Sequence, residues 1–319
     1  MLAKYIGRRL LYSIPGLIGI TIIIFLALRI LPGDPLAILY GEGGRENLTA
    51  ADIAEIKRQL GIDRPLYIQY ADWMKDVFTG KMGESFWRGD SVSELIIRRG
   101  PLTAEIAVVA VLVSWIIGLP VGILGAIKQN SMADYISRFL TIIFLAVPSF
   151  WVAILVVVVS LLAFNYRPPL GIIQIWEDPF TNLQIVLAPG IVLGLATSAY
   201  IARMARTTLL EVIRDDYVRT ARAKGLPERL VVLRHALRNA LLPVLTLSGV
   251  LFGLLLGGSV AVETAFTVPG LGTALVQAFT ERDFVVVQNL VLLYGIIFVF
   301  VNLSIDLMYA VLDPRIRYD

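Results

Sequence analysis

The chain has 319 residues, of which 57% are hydrophobic and 17% charged. Its mean hydropathy is +0.76, which excludes an ordinary soluble domain, with about a quarter of its residues charged, and a disordered chain, which lacks this much apolar surface. There is no cysteine and one histidine, His235, so disulfide scaffolds, thiolate metal centres, cysteine nucleophiles and two-histidine zinc sites are excluded as well. A net charge of +3 and a pI near 9.1 raise a nucleic-acid reading, which the positions of the basic residues decide.

Crossing a bilayer takes about 20 apolar residues at helical rise. Six runs meet that length: Leu10–Leu31, Glu105–Ile127, Phe139–Phe164, Ile185–Ala202, Leu241–Val262 and Phe284–Leu312. No short alternating segments of the kind that build a membrane barrel interrupt them. The expected fold is all-α, a polytopic membrane protein of six transmembrane helices. The first run follows Lys4, Arg8 and Arg9; it is too long for a signal-peptide core and no small-x-small site closes it, so it reads as a retained anchor.

The first long loop, residues 32–104, has its own pattern. Thr49 is placed to cap a helix over Ala51–Leu60, which Gly61 stops. Pro65 opens a second amphipathic stretch through Leu66, Tyr70, Trp73 and Val77, closed by Gly80 and Gly83. These read as a folded hat over the helices.

Orientation follows the lysines and arginines of the short loops. Lys4, Arg8, Arg9, Lys128, Arg138 and the nine basic residues between Arg203 and Arg238 fall on one side, against Arg167 and Arg282 on the other. Both termini are therefore expected in the cytoplasm, and the basic pI reflects topology, not nucleic acid. The chain divides into a cytoplasmic end and first span (residues 1–31), an extracytoplasmic loop (32–104), a five-helix core (105–312) with a cytoplasmic loop near 203–240, and a cytoplasmic tail (313–319).

That cytoplasmic loop carries the most information. Thr207–Lys224 reads as a helix, Gly225 follows it, and Pro227 suits the first turn of a second helix, Glu228–Leu242. The result is a helix–Gly–x–Pro–helix elbow, either a solvated face or, the favoured reading, a docking element.

Motifs for chemistry are lacking. There is no GxxxxGK[ST] and no GxSxG, so neither a nucleotide-binding loop nor a serine-hydrolase elbow is present, and no residues are assigned to catalysis or metal binding. The ionisable residues within spans, Arg29, Glu105 and Asp306, lie at span ends; a proton- or ion-driven carrier usually keeps such a group at the midplane. Ser149, Thr246, Ser248, Gln288 and Asn289 are polar residues within the spans and are candidates to line a pathway, with interhelical hydrogen bonding as the competing role. Pro120, Pro148 and Pro243 are expected to kink their helices. Gly249, Gly253 and Gly257 form a small-residue ridge on the fifth span.

The elbow sequence Tyr217-Val218-Arg219-Thr220-Ala221-Arg222-Ala223-Lys224-Gly225-Leu226, with Arg234-His235-Ala236-Leu237-Arg238-Asn239-Ala240-Leu241-Leu242-Pro243, resembles the EAA loop of type I ABC importer permeases. The likeness is to the first permease of the dipeptide/oligopeptide/nickel group. It extends over most of the chain through Leu31-Pro32-Gly33-Asp34-Pro35, Leu60-Gly61-Ile62-Asp63-Arg64-Pro65-Leu66, Val147-Pro148-Ser149-Phe150-Trp151, Val262-Glu263-Thr264-Ala265-Phe266, Pro269-Gly270-Leu271-Gly272 and Leu312-Asp313-Pro314-Arg315. Arg219 and Thr220 depart from the general pattern, where glutamate and alanine stand, and Asn239 replaces a proline.

The resemblance implies the type I permease fold and a subunit forming half of a translocation pathway for peptides or a related small solute. Dipeptides, oligopeptides, nickel chelates, glutathione and glycosides are all moved by relatives of this type. It implies no cofactor in this chain, ATP and Mg being used by partner ATPases, and no enzymatic activity of its own. The implied partners are a second homologous permease, two ABC ATPases and an extracytoplasmic solute-binding protein, in a bacterial or archaeal cytoplasmic membrane. The ATPase-coupling residues it implies are Asp215, Asp216, Tyr217, Val218, Thr220, Ala221, Lys224 and Gly225. A non-transport membrane scaffold is the competing function and a secondary carrier the third.

Overall fold

The computed structural model describes residues 2–30, 49, 58, 63–86 and 88–312. The expected helix at Ala51–Leu60, the motif at residues 31–35 and the tail at 313–319 lie outside these, residue 58 apart. The described elements are helical: α1 (Leu2–Ile30), α2 (Leu66–Phe78), α3 (Val92–Ile127), α4 (Met132–Ala146), α5 (Ser149–Phe164), α6 (Pro179–Val212), α7 (Asp216–Ala223), α8 (Glu228–Leu230), a π-helical segment (Val231–Ala236), α9 (Leu237–Gly258), α10 (Val260–Ala265), α11 (Leu271–Thr280) and α12 (Phe284–Leu312).

Among the described residues, five helices are long and apolar enough to cross a membrane, and a sixth span results if α4 and α5 are counted as one. Here the structure corrects an expected continuous span, because α4 and α5 meet at an 88° bend. Val147 is extended (φ −86°, ψ 121°) and Pro148 caps α5. Proline disfavours helical backbone in the residue before it, so the chain leaves the helix at Val147 instead of kinking. Pro120 and Pro243 stay inside continuous helices.

Among the spans that are longer than hydropathy indicated are α3 and α6. α3 begins at Val92, not Glu105, and passes Glu94, Arg98, Arg99 and Pro101 without interruption; Leu95 and Leu102, buried on the core, hold this extension down. α6 starts at Pro179, where Asp178 accepts hydrogen bonds from the Phe180 and Thr181 amides, a cap that satisfies orphan donors of the first turn. It continues through Thr207 to Val212.

α3 and α6 form the centre of the bundle. Cβ atoms built on Gly118 and Gly122 would strike the Ser198 and Ala202 carbonyl oxygens, and Cβ atoms on Gly190 and Gly194 would strike Val109 and Val113. Reciprocal glycines thus bring the two backbones together, the association mode favoured where lipid offers no hydrophobic drive. Leu102, Ile106, Val186, Val262 and Phe266 join this seam to α10 in one buried cluster.

The hat is folded onto the bundle. Trp73 of α2 is buried between Phe25 of α1 and Leu292 of α12, its ring centroid 6.2 Å from that of Phe25. Its indole N–H donates to Asn289 Oδ1 at 3.3 Å. The small-residue ridge on α9 meets α12 at two of its three positions: Gly249 faces Ile305, Gly253 faces Phe298, and Gly257 faces nothing within 4 Å.

Candidate functional site

The elbow is built from α7 and the arm that follows it. The single helix expected over Thr207–Lys224 is two helices: α6 ends at Val212, and Asp215, extended at φ −66° and ψ 149°, precedes α7. α7 has two distinct faces. Val218 and Ala221 are buried against Ala126, Leu209, Val231, Val232 and Ala236, while Asp215, Asp216, Tyr217, Thr220 and Lys224 are exposed. Full burial of a valine is worth roughly 1.5–3 kcal/mol relative to exposure, so Val218 supplies much of the force seating an eight-residue helix that could not stand alone.

Gly225 has φ +78°, with its amide bonded to the Arg222 carbonyl at 2.9 Å. A Cβ there would meet nothing within 4 Å, so the position requires glycine for its dihedral angle, not for space. Across this turn the Arg222 guanidinium grips the Glu228 carboxylate through two hydrogen bonds of 3.0 and 2.7 Å, and the carboxylate raises the arginine above its ordinary pKa. Arg222 also donates to the Ile213 carbonyl at 3.3 Å. One side chain therefore spans the end of α6, α7 and the start of α8.

The second arm runs from Glu228 through the π-helical segment into α9. A π turn inserts one extra residue per turn and rotates the faces on either side. Tyr217 secures the arm to α7: its hydroxyl donates to the His235 carbonyl at 3.3 Å and accepts from Asn239 Nδ2 at 2.8 Å. Asn239, which departs from the general EAA pattern, thus supports the elbow from inside the chain. These contacts join α7 to the arm, whose helical backbone runs without a break from Glu228 into α9.

The polar candidates within the spans do not share one environment. Ser248 is buried and its Oγ accepts from Trp115 Nε1 at 2.7 Å. Asn289 is buried and donates to the Met82 and Val285 carbonyls at 2.8 Å each. These two spend their polar atoms on packing. Thr246 is exposed and donates to the Leu242 carbonyl of its own helix. Ser149 is half-buried at the first turn of α5. Gln288 is buried, and its Oε1 has no hydrogen-bond partner among the described residues.

The sequence reading missed three wholly buried carboxylates at span ends. Glu263 accepts from Thr103 Oγ1 (3.1 Å), Ser259 Oγ (2.7 Å) and the Thr273 amide (3.0 Å), fastening the α10–α11 turn to α3. Asp283 accepts from Ser85 Oγ (2.5 Å) and the Phe86 amide (3.1 Å), tying the hat to the start of α12. Asp134, near the elbow end, accepts paired bonds from both Arg206 and Arg138. The Asp134–Arg138 spacing of four is legible on a helix; Arg206, 72 positions away, is not. Among the described residues no group of His, Asp and Glu side chains could hold a metal ion.

Residues 118–318 match the family model described as binding-protein-dependent transport system inner membrane component, and residues 1–107 match its N-terminal companion. A putative peptide transport system permease protein of Brucella melitensis is 38% identical over all of both chains. The oligopeptide transport system permease AppB of Bacillus subtilis is 37% identical, covering 99% of this chain and 100% of its own. The dipeptide transport system permease DppB of Escherichia coli is 36% identical over 99% of each. Among solved structures, a chain of the inward-facing methionine ABC transporter MetNI superposes with a TM-score of 0.56 at 21% identity, covering 69% of this chain and 97% of that one; at that identity the likeness is one of fold.

Proposed function

The chain belongs to the family of binding-protein-dependent transport system inner membrane components, and on that premise we propose that it passes peptides across the membrane under the drive of ATPases docked at its elbow. It is a multi-pass permease subunit of an ABC importer. The finer reading is ours: the load is a dipeptide or oligopeptide, the pathway is shared with a second, homologous permease in a heterodimer, and two ATPases and an external binding protein complete the machine. The named function of several full-length relatives supports the peptide load.

The observation that carries the coupling assignment is the two-faced α7, anchored by Val218 and Ala221 and presenting Tyr217, Thr220 and Lys224 outward. An ATPase cleft receives the outward face, and the closed Arg222–Glu228 turn passes its movement to α9. The elbow and both termini face the cytoplasm in this reading, which the excess of basic residues in the short loops on that side supports. Residues 32–104 lie outside, where the binding protein docks, and residues 105–312 form the core. Along the pathway, Thr246 and Ser149 are the polar candidates not enclosed by the chain's own packing.

Cysteine chemistry tests this directly, because the native chain has no cysteine. Thr220→Cys is expected to crosslink, through a short bifunctional reagent, to a co-purifying ATP-binding subunit. Ser91→Cys is expected to react with an impermeant maleimide on intact spheroplasts. Labelling of Thr220→Cys from outside, or crosslinking of it to the external binding protein, overturns the orientation and the docking assignment. Uptake of a labelled dipeptide, lost when the gene is deleted and restored by the native chain, tests the load.

A further inference from the structure

At the elbow end, α3, α4 and α6 line a half-open cavity of about 220 Å³ whose lining includes Arg138, Arg203, Arg206, Ser137 and Thr207. Its charge is unbalanced. Among the described residues, the carboxylate that pairs with these arginines is that of Asp134, which is fully buried and receives the Nε and Nη2 edges of both Arg138 and Arg206. Two guanidinium groups thus share a single negative charge, and each keeps its Nη1 edge for another acceptor. Arg203 is exposed and has no hydrogen bond or ion pair among the described residues. Three positive groups against one negative leave a local excess of two at the mouth of a cavity with hydroxyls in its wall.

The flank of this cavity is apolar and open. Phe139 and Ile142 on α4 are 64% and 61% exposed, and Ile142 itself reaches the cavity wall. Arg203 immediately follows Ala202, where the apolar run of α6 ends, so the basic groups stand at headgroup level with the apolar flank running into the bilayer. A free anion would use the arginines and leave that flank unmatched. A phospholipid presents a phosphate directly above acyl chains and matches both.

We propose that this groove binds the headgroup of an anionic phospholipid from the leaflet on the elbow side, with Arg203 as the primary phosphate ligand and Arg138 and Arg206 held in place for it by Asp134. Basic pockets between transmembrane helices are a recurrent form of anionic-lipid recognition. The lipid would wedge α4 against α6 at Arg203, about two and a half helical turns before α6 ends at Val212, so its occupancy bears on how firmly α7 is held. This goes beyond the transport assignment and does not depend on the identity of the load.

The test is lipid retention by the full-length chain, purified with whatever subunits accompany it in neutral detergent and read by native mass spectrometry. Phosphatidylglycerol and phosphatidylcholine are supplied in equal amounts. Retention of phosphatidylglycerol over phosphatidylcholine is expected. Arg203→Gln should weaken it by about fivefold, the scale of one basic residue at an anionic surface, and Arg203→Lys should restore most of it. Because Arg203 takes no part in the Asp134 cluster, the glutamine variant should melt at the wild-type temperature, which separates lost binding from lost folding. Equal retention of the two lipids, or phosphatidylglycerol retention unchanged in Arg203→Gln, overturns the proposal. Displacement of phosphatidylglycerol by inorganic phosphate alone also overturns it, since that outcome describes a site for free anions.

Discussion

Glycine serves the α3–α6 seam and the elbow for opposite physical reasons. In the seam its value is the missing side chain: a Cβ on Gly118 would lie 2.6 Å from the Ser198 carbonyl oxygen, and one on Gly194 would lie 2.5 Å from Val113 Cβ. Neither position has a positive φ. At the elbow the reverse holds, with open space around Gly225 and φ at +78°. The seam determines whether the bundle exists, and the elbow determines the angle at which one short helix meets a long arm. Stability and coupling are therefore separable by substitution, although the residue type is the same.

The largest expected effect is in the seam. Gly122 faces the Ala202 carbonyl and the Ala205 side chain, and backbone in a packed helix pair cannot withdraw. Gly122→Val should cost roughly 3 kcal/mol or more by overpacking. Membrane accumulation and the melting temperature in detergent should both fall sharply, and a variant that accumulates and melts like the wild type would show that the two helices are not in close contact.

Gly225→Val should do the opposite. The strain, on the order of 1–2 kcal/mol in the left-handed region, is borne outside the bilayer, so accumulation should stay near normal while uptake and binding-protein-stimulated ATP hydrolysis collapse. Gly225→Asn, which tolerates positive φ better, should retain part of both. Near-normal transport by both variants would remove the elbow angle from the coupling mechanism.

The smallest effects belong to the α9 ridge. Gly253→Ala would press on the edge of the Phe298 ring at 2.7 Å, a side chain that can turn aside, so a loss of about 1 kcal/mol is expected. Gly257→Ala meets nothing within 4 Å and should stay within about 0.5 kcal/mol of the wild type. Melting temperatures of the two variants check the order; a Gly257→Ala as damaging as Gly122→Val would mean that the ridge packs against a partner subunit.

Much of the elbow was legible because its signals are local. A glycine after a helical run and a proline two positions later act through the backbone of a few neighbours, and Gly225 and Pro227 carry them; Val218 and Ala221, implied by the family resemblance as coupling residues, are instead buried against the chain's own core. The break at Asp215 was hidden because residues 207–224 keep helical composition on both sides of it. The polar span residues were not separable from the sequence, since whether Ser248 lines a pathway or accepts from Trp115 depends on which helix lies opposite.

The sequence alone determined the membrane-spanning class, the last span at Phe284–Leu312 and the need for positive φ at Gly225, since hydropathy over twenty residues and dihedral preference at one residue do not depend on distant chain. Tertiary structure decided that α4 and α5 part at 88°, that α3 starts thirteen residues before its apolar run, and that Glu263, Asp283 and Asp134 are buried. A carboxylate can leave water only where enough donors converge on it, and the donors of Glu263 and Asp134 come from helices up to 160 positions apart. Convergence of that kind is a property of packed surfaces, and no local window of the chain contains it.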